Sequence, residues 1–261
     1  VTTAPVYPIT AIAPTVTTVL GLPAPRQAEE PPIPEIRADL MGVARVAVLA
    51  PDAVGLTVWQ RWREATPFLT SLHEQRHLVL RSVPPPITPV NFAALVTGAP
   101  LEAHGLHERT AKLRAESIFD VIRATGGGSA GVGQPGYTGG DFLARYAEFS
   151  GRTDASGDDA VLEMVLRLAR AHQPRFIIAQ LGDPDTLFHK VGPSSPEAEP
   201  VMRATDARLR RLTEELATSG YAVIVLADHG QHEYTDDSGN VRGGHDGSEE
   251  EDFLVPCTWV R

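Results

Sequence analysis

Asp185 and His189 stand four residues apart in GDPDTLFHKVGP, Asp228 and His229 adjoin in VIVLADHG, and His245 follows in RGGHDG. Carboxylate oxygens and imidazole nitrogens of this kind bind zinc, and a catalytic ion keeps one position open for water or substrate. Four residues is about one helical turn, so Asp185 and His189 are expected on one face, gripping a single ion. Asp228 and His229 close an apolar run, where a turning chain sends both side chains into a cleft. Two ions roughly 4 Å apart can activate a nucleophile and clamp phosphoryl oxygens. Upstream, Asp52 follows VARVAVLA, and Thr88 stands in PPPITPVNFAALVTGAPLEAHGL. Pro89 suits the first position of a helix, which makes Thr88 its N-cap over Pro89 to Val96. The free N–H groups and dipole at that end favour an anion. A threonine there, bound to zinc, can be held as alkoxide and attack phosphorus. Asn91, one turn along, is expected to donate a hydrogen bond to a phosphoryl oxygen. The set points to metal-assisted phosphoryl transfer.

The elements that must position these groups are legible as apolar runs. Ala44 to Ala50, His77 to Val83, Arg175 to Leu181 and Tyr221 to Ala227 are rich in Val, Ile and Leu without alternation, as in strands buried on both faces of a parallel sheet. Ala115 to Thr125, Asp158 to Ala171 and Pro196 to Thr218 carry apolar residues at helical spacing. Alternating strands and helices predict an α/β fold with a doubly wound, mostly parallel sheet and helices on both faces. Ligands of such folds bind beyond the carboxyl ends of the strands. Asp52, Asp183 and Asp185, and Asp228 all fall just past a strand run, so they converge on one sheet edge. The Gly/Ser-rich stretches 126–140 and 150–157 read as surface loops. The run Glu249, Glu250, Glu251, Asp252 reads as a solvated face. Among weaker candidates, His104 reads as a turn residue, His232 as exposed or supporting the site, and Asp183 as the acceptor that orients a ligand imidazole.

Composition narrows the function. A chain of 261 residues, 42% hydrophobic, suffices for one substantial core, and a single domain over 1–261 is expected. A net charge of -10 without a basic run argues against a nucleic-acid polymer as partner. A small phosphate ester held through metal remains compatible. Lys112 and Lys190 are the only lysines, so a phosphate clamp must use metal, arginine or backbone amides. Cys257 is the single cysteine, which rules out an internal disulfide and makes the cytoplasm the default. No apolar stretch approaches bilayer length, so no membrane partner is expected. The proline-broken, uncharged opening is a poor signal peptide, although a leader already removed stays open. A homodimer is also left open.

The run ITPVNFAALVTGAPLEAHGL, with PDTLFHKVGP, LADHG and GGHDG in that order, resembles the alkaline phosphatase superfamily, and within it the type I phosphodiesterase/nucleotide pyrophosphatase branch. The resemblance runs from Ala44 to Val260. It implies that Asp52, Thr88, Asp228 and His229 hold one zinc and Asp185, His189 and His245 the other, with manganese an alternative. Thr88 is then the nucleophile, passing through a phosphothreonine that water hydrolyses. Asn91 binds a non-bridging oxygen, and the substrate is a small phosphodiester or nucleotide-like molecule. Departures are informative. Relatives usually read Asp-Gly where this chain has Asp52-Ala53, and often glycine where Phe188 precedes His189. After HGL they run toward an asparagine, whereas here the chain reads His107-Glu108-Arg109; a pocket arginine would favour monoesters. The segment between His107 and Asp183 lacks an inserted cap, which implies an open, promiscuous site. Residues 1–38, with AIAPTVTTVLGLPAP, resemble the usual C-terminal part of the superfamily, as in a circular permutation that makes the termini neighbours. The competing readings are a monoesterase or phosphonoacetate-type hydrolase, a phosphomutase, and a catalytically silent metal-binding module. Cys257 lacks the C-x-P-x-R context of sulfatases.

Overall fold

The computed structural model describes residues 5–261; residues 1–4, which open the 1–38 segment, lie outside them. The strands are β1 (Val6–Pro8), β2 (Val46–Pro51), β3 (Leu78–Arg81), β4 (Ser129–Gly133), β5 (Phe149–Arg152), β6 (Phe176–Leu181), β7 (Ala222–Leu226), β8 (His232–Thr235), β9 (Val241–Gly244) and β10 (Leu254–Val260). Eight form one mixed sheet in the order β1-β3-β10-β7-β2-β6-β4-β5, and β8 and β9 form a separate hairpin. The pairs β1/β3, β7/β2, β2/β6, β6/β4 and β4/β5 are parallel. Only β10 runs against its neighbours, β3 and β7.

All four apolar runs are strands. Every residue of β2, β6 and β7 is buried, as a parallel sheet covered on both faces requires. The three lie side by side at the centre, and β3 sits further out, separated by β10. The expected helices form at Ile118–Ala124, Asp158–His172 and Ala198–Thr218. The first is started by Ser117 and Asp120, which cap each other's backbone N–H groups.

Two expectations are corrected here. The stretch 126–140 is no surface loop: Ser129–Gly133 is the buried strand β4, between β5 and β6. Its glycines hid it, because they lack β propensity. They are needed for close approach, since a Cβ at Gly131 would collide with the Leu143 carbonyl and one at Gly133 with the Gly139 backbone. Likewise 150–157 begins in the edge strand β5.

The N-terminal segment lies against the helix that carries Thr88. Strand β1 pairs with β3, and the helix Ile12–Val19, almost wholly buried, packs on Thr88–Thr97. By register, Val6 lies beside Val79 and Val260 beside Val223, so both described ends of the chain sit at the edge opposite the one where the candidate site gathers. Among the described residues, no helix is long and apolar enough to cross a membrane.

Candidate active site

The site is built at the carboxyl ends of the three central strands. Asp52 follows β2 directly, Asp183 and Asp185 open the helix Asp183–Val191 after β6, and Asp228 and His229 follow β7. Asp185 and His189 do share one helical face, with Asp185 Oδ1 3.2 Å from His189 Nε2. His245 arrives by another route. The hairpin β8/β9 leaves the end of β7 and returns, so that His245, just past β9, brings Nε2 to 3.1 Å from His189 Nε2 and 3.7 Å from Asp185 Oδ1. On the other side, His229 Nε2 lies 3.4 Å from Asp52 Oδ1 and 3.5 Å from Asp228 Oδ2.

Thr88 is brought to the same point. It occupies the first turn of the helix Thr88–Thr97 instead of capping it; Ile87 is the N-cap, without a side-chain bond. Its hydroxyl is therefore free for other work, and Oγ1 lies 3.1 Å from His229 Nε2. The helix itself is buried from Val90 to Thr97, which fixes the threonine on a rigid element.

The tautomers follow from the backbone. His229 Nδ1 lies 3.0 Å from the Gly230 carbonyl, His189 Nδ1 2.9 Å from that of Gly243, and His245 Nδ1 3.0 Å from that of Pro86. A carbonyl only accepts, so each Nδ1 donates, and in the neutral ring each Nε2 turns a lone pair inward. Thr88 Oγ–H then donates to His229. These carbonyls perform the orienting role expected of Asp183. That carboxylate instead accepts from Gln134 and the Asp158 N–H and pairs with Arg208, because its helix position turns it toward the start of the helix Asp158–His172.

The Nε2 atoms of His189 and His245, 3.1 Å apart, need a proton or a metal cation between them. The carboxylates make the same demand. Asp52 Oδ1 and both Asp228 oxygens are fully buried without a hydrogen-bond partner, although Gln180 Nε2 donates to Asp52 Oδ2. Burial, together with the neighbouring carboxylates, pushes Asp52 well above the usual carboxylate range, and burial also raises Asp228. Burial acts the same way on Asp185 but is outweighed by the His189 hydrogen bond and the nearby imidazoles, which hold it low. His245 falls to about 4, through burial and then His229. His189 moves the other way, raised by its hydrogen bond to Asp185. Buried carboxylates made costly to ionise, beside imidazole nitrogens, are the environment a divalent cation relieves. The donors group as Asp185, His189 and His245, and as Asp52, Asp185 and His229, with Asp228 beside the second group. The residues fit metal ions.

Other sequence candidates are placed elsewhere. Asn91 was expected to face the anion. It is fully buried and spends its side chain on the preceding loop, Oδ1 accepting from the Val83 N–H at 2.8 Å and Nδ2 facing the carbonyls of Val83, Pro85 and Ile87. Arg109 is half-exposed and paired with Asp141. Phe188 is core. His104 is a buried turn residue whose Nδ1 accepts from the Leu106 N–H. Ala53 adopts φ 61°, the left-handed region in which a residue with Cβ costs roughly 1–2 kcal/mol; the glycine usual in relatives would take it at less cost. Of the acidic run, 249–251 are exposed, but Asp252 is fully buried and accepts from His232 Nδ1 at 2.7 Å. That correction reveals a support of the site that the sequence reading assigned to solvent. Gln180 and Gln231 were also missed. A glutamine inside the apolar strand FIIAQL was the available signal for the first; nothing marked the second.

Known proteins share this fold. Residues 132–244 match the model of the family described as type I phosphodiesterase / nucleotide pyrophosphatase. That span holds Asp185, His189, Asp228 and His229, while Asp52, Thr88 and His245 lie outside it. Murine ectonucleotide pyrophosphatase/phosphodiesterase 5 is similar at TM-score 0.60 and 20% identity, over 74% of this chain and 59% of that one. An inactive threonine-to-alanine variant of it, in complex with AMP, is similar at TM-score 0.58 and 18% identity, over 74% and 59%. Phosphonoacetate hydrolase from Sinorhizobium meliloti 1021, in complex with phosphonoformate, gives TM-score 0.59 and 19% identity over 76% and 59%. The chain thus spans about three-fifths of the length of these solved structures. No curated protein matches the sequence significantly. The chain therefore has an alkaline phosphatase-like α/β fold, and its residues 132–244 match the type I phosphodiesterase/nucleotide pyrophosphatase family.

Proposed function

We propose that this chain is a two-metal phosphodiesterase that hydrolyses small phosphodiester or phosphoanhydride substrates through Thr88. The observation that carries the reading is the Thr88 hydroxyl, 3.1 Å from His229 Nε2 and backed by the unpartnered oxygens of Asp52 and Asp228. Asp52, Thr88, Asp228 and His229 would hold one ion and Asp185, His189 and His245 the other. Mixed Asp/His donor sets favour zinc, with manganese the alternative. Bound there, the ions would supply the positive charge that favours the Thr88 alkoxide and neutralises phosphoryl oxygens. The chain's own part is positional. The helix Thr88–Thr97 holds Oγ1 at one point, and its open first turn offers N–H groups to a phosphoryl oxygen. Oγ1 attacks phosphorus as the bond to the leaving oxygen breaks. Water then hydrolyses the phosphothreonine and restores the hydroxyl. The AMP complex of an inactive threonine-to-alanine variant among the structural relatives supports a threonine in this role. Asn91 serves by shaping the 83–87 loop ahead of Thr88, not by touching the anion. Arg109, tied to Asp141, gives no support to the monoesterase alternative.

The test is the ratio of kcat/KM for bis(p-nitrophenyl) phosphate to that for p-nitrophenyl phosphate, on protein of measured metal content. A ratio well above one is expected, and Thr88→Ala should lower diester turnover by about 10³-fold or more while retaining both ions. Unchanged turnover in metal-loaded Thr88→Ala removes Thr88 as nucleophile; a ratio well below one moves the assignment to monoesters.

A further inference from the structure

The amide of Gln231 lies at the edge of the Asp185/His189/His245 group, two residues past His229, and is 1% exposed. Its Nε2 is 3.2 Å from Asp185 Oδ1 and 3.5 Å from His189 Nε2. Both of those atoms are electron-pair donors directed at a common point, since His189 spends Nδ1 on the Gly243 carbonyl. At the far end of the same amide, Oε1 is buried with no hydrogen-bond partner. It lies against Gly243, where a Cβ would stand 2.5 Å from Oε1 and 2.7 Å from the Phe188 carbonyl oxygen. The acceptor end thus has no donor, and the donor end faces the place where a cation is demanded. Rotating the amide by half a turn about its last torsion exchanges the two atoms within one shape. Oε1 then joins the carboxylate and imidazoles.

We propose that Gln231, through Oε1, is a fourth protein ligand of the ion held by Asp185, His189 and His245. The proposal rests on the two-metal reading above. A fourth protein donor would tighten the hold on this ion. A neutral oxygen added to one carboxylate and two imidazoles also widens the site's tolerance for oxygen-preferring ions such as manganese. The absence of a side chain at Gly243 leaves the amide room to turn.

Zinc alone and manganese alone, titrated against a competing chelator, decide the matter on wild type, Gln231→Leu and Gln231→Glu. Wild type is expected to bind two ions. Leu, similar in volume but without a donor, should keep one ion at wild-type affinity and weaken the other 10- to 100-fold, with metal-free unfolding unchanged. Glu restores an oxygen and should bind that ion at least as tightly as wild type. Two ions at wild-type affinity in Gln231→Leu overturn the proposal. Should Leu not fold, weaker binding by Gln231→Glu overturns it. Fewer than two ions in wild type instead fails the two-metal reading itself.

Discussion

Removing the Asp252 carboxylate should loosen the whole site. Its side chain accepts from His232 Nδ1 at 2.7 Å and from the Gly247 N–H at 2.9 Å, and its main-chain carbonyl accepts the Gly230 N–H at 2.8 Å. One residue thus joins the end of β7, the start of β8 and the turn just past His245. A hydrogen bond to a charged group contributes about 1.5–3 kcal/mol, and a stranded buried donor costs about 1–3 kcal/mol. His232 is buried and takes the upper part of that range; Gly247 is half-buried and takes the lower. Asp252→Ala should therefore cost about 3–4 kcal/mol, a large part of the roughly 5–15 kcal/mol that holds a typical domain together. The main-chain bond to Gly230 survives any substitution, so the loss belongs to the side chain. Urea unfolding of metal-free protein, followed by tryptophan fluorescence, gives the difference. In a His232→Phe background one donor is already gone, and Asp252→Ala should cost about 1.5–3 kcal/mol less there. A loss under about 1 kcal/mol, or two substitutions whose effects simply add, would refute the reasoning.

Chelation should lower the melting temperature by about 10–20 °C if both ions are present at about 100 times their dissociation constants, a linkage of about 2.7 kcal/mol for each ion; identical melting curves with and without metal would contradict it. His73 is buried against Trp59, its Nδ1 2.9 Å from that of His77. Burial, then the charges of His77 and Arg63, hold it down to about 3. The unfolded chain takes up this proton below about 6.5 and the folded chain only near 3, so the group's contribution to stability is lost as pH falls through that window, by about 1.4 kcal/mol per unit. His73→Gln should remove about 2 kcal/mol of the decline between pH 6.5 and 5, and an unchanged slope in urea titrations would count against the assignment. Gly131→Ala should cost about 3 kcal/mol or more, because the new methyl meets the Leu143 carbonyl in the sheet interior; calorimetry showing a wild-type transition would return 126–140 to the surface.

The central sheet was legible because β2, β6 and β7 are buried on both faces and must be written in unbroken Val, Ile, Leu and Ala. The acidic residues that end these strands were legible for the same reason. Strand β4 was not, because close packing against Leu143 and Gly139 selects glycine, the residue that otherwise marks turns. The placement of Asn91 was unreadable for a different reason: an amide serves an anion and a backbone equally well, and only the loop's path decides between them. Asp252 was hidden by its neighbours, since three exposed glutamates make a buried aspartate look like one more surface charge.

The insertion of β10 between β3 and β7 has a consequence for how the chain assembles. Until residues 254–260 have been made, β3 with its partner β1 cannot join the sheet, and the facing edge of β7 stays open. Two apolar edges waiting on β10 are templates for pairing with other chains. The nascent protein is most exposed to aggregation just before that strand emerges, and substitutions that weaken β10 should reduce the yield of soluble protein more than they reduce the stability of what has folded.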